Sequence, residues 1–304
     1  MTTPGSTAAR MLIEHATSSA VAVLRGAGVP SIALRGPVLV RMLYDDADAR
    51  GSLDVDLLVP DLARGSAALV ADGYEIAVDW TPGMEKHAWT HVKENEVSID
   101  LHRILVGIDA DVDTVWRIFE RESSAVEVLG GRVDVPNAAA QALTVALHAF
   151  QHGPATSQTA EDLVRALTRI DASAWRRAAE LARELDAEDA FAAGLRQHAD
   201  GVRLAATLGL AQVSSRRTAI RAAHGSAEPA VLGLDALLTL RGARRVAFAA
   251  GKLLPPHGFM HERYPWSRRG RVALGLSYLY RAGWIAWHLP GGLTRLRAAG
   301  RRSR

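Results

Sequence analysis

Two short segments carry acidic side chains at a spacing that could do metal chemistry. In Leu53-Asp54-Val55-Asp56-Leu57-Leu58-Val59, successive strand side chains point to opposite faces. Asp54 and Asp56 therefore share one face, and Val55, Leu57 and Val59 share the other. Two carboxylates this close repel unless a cation or a proton intervenes. Val97-Ser98-Ile99-Asp100-Leu101-His102 repeats the pattern, with Ser98, Asp100 and His102 on one face and the aliphatic residues on the other. If the two strands are neighbours, Asp100 joins the first two acids. Hard oxygen ligands of this kind suit Mg²⁺ or Mn²⁺, and three of them are enough for a two-metal site. Such a site activates an attacking hydroxyl and stabilises a leaving pyrophosphate. Asp100 is then the candidate general base.

A third piece lies upstream. Leu34-Arg35-Gly36-Pro37 puts a glycine between a short strand and a helix that opens on proline. Amide groups at such a turn can hold a phosphate, and Arg35 and Arg50 can clamp phosphate oxygens with paired donors. Both arginines can equally be ion-pair partners of Asp45, Asp46 or Asp48. His148 and His152 are four residues apart on one predicted helix face, as zinc ligands can be. No glutamate in the metalloprotease position and no evident third ligand accompany them, so a packing or interdomain role is preferred. Asp162 reads as a capping or helix-surface residue.

The elements that must hold these groups follow from periodicity. Helices are predicted over 7–25, 37–44, 61–72 and 111–119, and strands over 31–34, 53–59, 74–78, 87–93, 97–101, 125–129 and 132–135. Glu94-Asn95-Glu96 and Gly130-Gly131 supply hairpin turns. After Pro136 strand signals vanish and helices are predicted over 138–151, 161–169, 174–185, 189–208, 215–223, 232–252 and 271–288. The expectation is an α+β domain over residues 1–135, followed by an all-helical domain over 136–304.

Taken in order, Arg35-Gly36, then Arg50-x-x-x-Asp54-x-Asp56-Leu57-Leu58-Val59, then Ile99-Asp100-Leu101-His102, resemble the uncharacterised bacterial nucleotidyltransferase-like family of the DNA polymerase beta superfamily. Arg35 stands where that family usually carries lysine. His148, His152, Glu161-Asp162-Leu163, Asp171 and Trp175 resemble its helical region, and Phe259-Met260 with Arg263-Tyr264-Pro265 its C-terminal pattern. The resemblance implies a mixed sheet with flanking helices and an NTP substrate, with ATP expected. It implies metal carboxylates at Asp54, Asp56 and Asp100, and nucleotide contacts at Arg35, Gly36, Arg50, Ser52 and His102. The implied reaction moves a nucleoside monophosphate onto a hydroxyl of a small-molecule or peptide acceptor, in a biosynthetic tailoring role. A toxin-like enzyme acting on tRNA, or a module that binds nucleotide without chemistry, are the alternatives.

Composition narrows the field further. Of the 304 residues, 48% are hydrophobic and 23% charged, which fits a folded chain and excludes extended disorder. No cysteine is present, so disulfides, thiolate metal sites and a cysteine nucleophile are excluded. The N-terminal stretch lacks the features of a secretory signal. The longest apolar run, 272–289, is broken by Arg281, so no transmembrane helix is expected and a cytoplasmic location is. Residues 265–304 hold nine arginines, no lysine and no acid, leaving −6 of the overall +3 to the other 264 residues. Such a basic tail can bind RNA, an acidic partner or an anionic membrane surface, or can be a solvated helix.

Overall fold

The computed structural model describes residues 7–46, 50–51, 54–77, 88–153, 157–212 and 240–302, with isolated positions between 213 and 239. Ser52, Leu53 and His87 lie outside the described residues, as do most of 215–223 and the start of the predicted 232–252 helix.

Seven strands form one mixed sheet: β1 (Ile32–Ala33), β2 (Asp54–Leu58), β3 (Glu75–Ile76), β4 (Ala88–Val92), β5 (Ser98–His102), β6 (Ser123–Val128) and β7 (Gly131–Pro136). Their order is β3-β4-β5-β2-β1-β7-β6. The two strands with the paired acids are direct neighbours. β2 and β5 run parallel, with Asp54 opposite Ser98, Asp56 opposite Asp100 and Leu58 opposite His102. β1 lies antiparallel on the other side of β2, pairing Ile32 with Leu58.

The alternation read from the sequence decides which side of the sheet each residue serves. Val55, Leu57, Val59, Ile99 and Leu101 pack with Ile13, Ala20, Leu24 and Leu69, which come from helices α1 (Thr7–Gly26) and α3 (Leu62–Ala71). Asp61 caps α3 by accepting from the Arg64 amide at 3.0 Å. The opposite side receives α2 (Pro37–Leu43), α4 (Val112–Arg121) and α5 (Ala138–His152). The hairpin turns also follow expectation. Asn95 has φ 60°, and the β6–β7 loop is Leu129-Gly130, both at positive φ, one residue earlier than predicted. That is the geometry of a two-residue turn matched to strand twist.

Beyond Pro136 the chain is helical: α5, α6 (Ser157–Arg169), α7 (Ala172–Glu184), α8 (Glu188–Leu195) and α9 (Ala199–Thr207), then helices Gly242–Leu253, His257–Arg263 and Arg271–Arg302. One apolar core joins Ile32, Leu34, Leu39 and Leu58 to Leu143, Leu147, Leu163, Trp175 and Phe191, so it runs unbroken past residue 136. Two expectations need correction. The predicted 189–208 helix is two helices, because the chain breaks at Arg196-Gln197-His198 and the His198 ring caps the second by accepting from the Asp200 amide at 3.2 Å. The last helix continues through Pro290 to Arg302 instead of stopping at 288.

α5 is the pillar of the helical part. Asn137 caps it with two 3.0 Å bonds from the Ala139 and Ala140 amides. α8 crosses it so closely that a Cβ on Gly194 would lie 1.9 Å from the Ala146 carbonyl oxygen. Backbone cannot yield there as a flexible side chain would. Gly194→Ala is therefore expected to destabilise the protein by about 2 kcal/mol or more, read as a lowered urea midpoint.

Candidate active site

The site is assembled on the face of β2 and β5 that α5 crosses. Ligand atoms of Asp56, Asp100 and His102 all lie within 4.8 Å of one another. Asp56 is 3% exposed, and its Oδ1 accepts from His102 Nε2 at 2.9 Å and from Arg35 Nη2. Since Asp56 accepts, His102 carries its proton on Nε2. Arg35 emerges just after β1, and its Nη1 meets His148 Nε2. Arginine can only donate, so His148 must accept at Nε2 and hold its proton at Nδ1. The His148 and His152 rings meet edge to face with centroids 4.4 Å apart.

These contacts set the charges. Burial pushes the Asp56 carboxyl up, but the Arg35 charge and the hydrogen bond from His102 outweigh it. The group stays ionised well below the usual carboxylate range. Asp54, one turn of the pleat away and half-buried, is pushed the other way by its own burial and by the negative charges of Asp56 and Asp100. Burial, then the neighbouring Arg35 and His152, hold His148 well below the ordinary 6.5, so it stays neutral.

The donor set fits a divalent cation. It offers hard carboxylate oxygens clustered at like charge, and Asp100 Oδ1 is buried without accepting a hydrogen bond from any described residue. Gly36 also takes the conformation expected of a sharp turn, with φ 83° at the start of α2. Of the predicted residues, the structure thus brings together Asp54, Asp56, Asp100, His102 and Arg35.

The guanidinium of Arg50 is engaged inside the protein. It is buried against Asp162 of α6, with Nε and Nη2 each 2.9 Å from a carboxylate oxygen. Tyr44 donates its hydroxyl to the same carboxylate at 2.6 Å. Asp162 is therefore an internal anchor and not a surface or capping residue. Gln158 of α6 also donates to the Gly51 carbonyl, so α6 grips the chain as it enters β2. Arg169 pairs with Asp45 farther along the same helix. His148 is the residue that sequence reasoning undervalued. Its spacing to His152 was the available signal, but the partner that gives it a place, Arg35, is 113 residues away in the chain.

Residues 5–200 match the family model described as an uncharacterised nucleotidyltransferase. The chain belongs to this family. As a member, it is a nucleotidyltransferase by family, and the match spans the sheet and α5 to α8. It ends before the Phe259-Met260 and Arg263-Tyr264-Pro265 segments. None of the curated proteins matches significantly. Among solved structures, an antigenic nucleotidyltransferase-like protein from Paracoccidioides brasiliensis aligns at 13% identity and a TM-score of 0.37, covering 62% of this chain and 94% of that one.

Two outcomes follow for this nucleotidyltransferase. Arg50→Ala strands the Asp162 charge in the interior and should cost about 3 kcal/mol in urea unfolding, while Arg50→Met with Asp162→Leu should restore most of it. His148 takes up a proton in the unfolded chain near 6.5 but resists it when folded. Between its depressed native value and 6.5 the unfolded state binds more protons, so stability rises with pH across that window. Unfolding curves at pH 5 and 7.5 should show this rise, and His148→Gln should flatten it.

Proposed function

We propose that this nucleotidyltransferase transfers a nucleoside monophosphate from an NTP, ATP by preference, to a hydroxyl acceptor with release of pyrophosphate. Asp54, Asp56 and Asp100 would hold Mg²⁺ or Mn²⁺. The observation that carries this reading is the parallel register of β2 and β5, which sets Asp56 opposite Asp100 beside His102. A module without chemistry has no use for like charges packed this closely.

A divalent cation bound there supplies charge neutralisation and activates the attacking oxygen. The protein's own groups do the rest. Asp100, whose Oδ1 has no competing donor among the described residues, accepts the proton of the acceptor hydroxyl. The freed oxygen attacks the α-phosphorus as the bond to the β-phosphate oxygen breaks, and pyrophosphate leaves with that bond's electron pair. His102 holds Asp56 in one orientation through its 2.9 Å bond. Arg35, held by neutral His148, keeps a fixed positive charge beside the carboxylates where the phosphates would sit. The Gly36 turn lets backbone approach them. The helical region beyond Pro136 forms the remaining wall and would select the acceptor, a small molecule or peptide in a biosynthetic tailoring role.

The test uses purified protein, each labelled NTP, Mg²⁺ or Mn²⁺ and a panel of hydroxyl acceptors. Label transfer with pyrophosphate release is expected. The Asp54→Ala/Asp56→Ala variant should lose about a thousandfold or more, the scale of several kcal/mol of transition-state stabilisation. Equal pyrophosphate release by the variant would sink the reading.

A further inference from the structure

The helix Arg271–Arg302 has two unlike sides. One is docked: Tyr278 donates its hydroxyl to the Pro255 carbonyl at 2.5 Å, and Arg281 donates Nε to the Lys252 carbonyl at 2.9 Å while lying 5.0 Å over the Phe259 ring. The other side is bare. Val272, Leu276, Leu279 and Trp287 are exposed, at 78%, 54%, 70% and 84%. With Gly283 between them their spacing is four, three, four and four, so they form one stripe about 22 Å long. Tyr280 and Trp284 flank it, both exposed. From Val272 to Thr294 the only charged residue is Arg281, and it belongs to the docked side. Monomers seldom leave so long an apolar stripe to water.

The charges on either end choose the occupant. Arg268, Arg269 and Arg271 precede the stripe, and Arg295, Arg297, Arg301 and Arg302 follow it, with no acid anywhere in 265–304. A second copy laid along this helix, parallel or antiparallel, would set arginine against arginine at both ends. RNA would meet the arginines and could stack on the tryptophans, yet would leave the aliphatic residues in water. An anionic lipid surface satisfies both features: headgroup phosphates meet the arginines, and the stripe enters the acyl boundary with Trp and Tyr at the interfacial level. Among the described residues no helix is long and apolar enough to cross a membrane, which leaves this helix lying in the interface plane.

We propose that helix Arg271–Arg302 docks the protein on an anionic membrane surface through the Val272–Leu276–Leu279–Trp287 stripe and the arginines that bracket it. The inference stands independently of the nucleotide chemistry, because the binding measurement needs no NTP.

The 304-residue chain is sedimented with phosphatidylcholine vesicles, with or without about 30% phosphatidylglycerol. Binding to the anionic vesicles should be at least about tenfold tighter than to neutral ones and should weaken with salt. Leu279→Ser with Trp287→Ser, both exposed, should cut it at least about tenfold. That variant should leave circular dichroism and the urea midpoint unchanged. The proposal is overturned by no vesicle binding, by equal binding to both vesicle types, or by binding indifferent to the double variant. It is equally overturned if the stripe variant instead dissolves a dimer, or abolishes salt-sensitive RNA binding, in a protein that ignores vesicles.

Discussion

A carboxylate that is 3% exposed cannot stay ionised without nearby positive charge, and the whole site is organised around that requirement at Asp56. Its Oδ1 draws a guanidinium from the end of β1 and an imidazole from β5. Each donor then needs its own support. Arg35 leans on His148, which must be neutral to accept from it, and His148 is neutral because α5 buries it. One charge in the middle of β2 therefore fixes the relation of three sheet strands to the first helix beyond Pro136. The acids beside it are balanced differently. Asp54 is driven up by its own burial and then by the negative charges of Asp56 and Asp100, a repulsion that a cation would relieve.

Much of this was legible because strands have a period of two. Asp54, Asp56, Asp100 and His102 could be put on polar faces, and Val55, Leu57, Ile99 and Leu101 on buried ones, from alternation alone. The helix capped by Asp61 was equally readable, since a cap is a local interaction within three residues. What escaped was long-range. Arg50 finds Asp162 across 112 residues, and no local pattern distinguishes that carboxylate from a surface one. The break at His198 escaped for another reason: nothing in Arg196-Gln197-His198 forbids helix. There the first turn of the next helix sets Gly201 so tightly on the Leu195 carbonyl that a Cβ would lie 1.9 Å from its oxygen, which is a demand of packing and not of propensity.

The Arg50–Asp162 pair also explains why the helical part cannot be treated as an appendage. A buried ion pair gives little net stability over an apolar pair of the same volume. Its effect is directional. Two guanidinium nitrogens on one carboxylate, with the Tyr44 hydroxyl on the same group, define a single approach of α6 to the chain that leads into β2. An apolar contact would tolerate sliding by a residue, and a slip of one residue would turn Asp54 and Asp56 into the α1–α3 core. Placing the costly polar anchor immediately before the strand that carries the acids adds a directional constraint to the apolar alternation that already turns them to the face they share with Asp100. The continuous core past residue 136 supplies the stability, and the pair fixes how α6 meets the chain that enters β2.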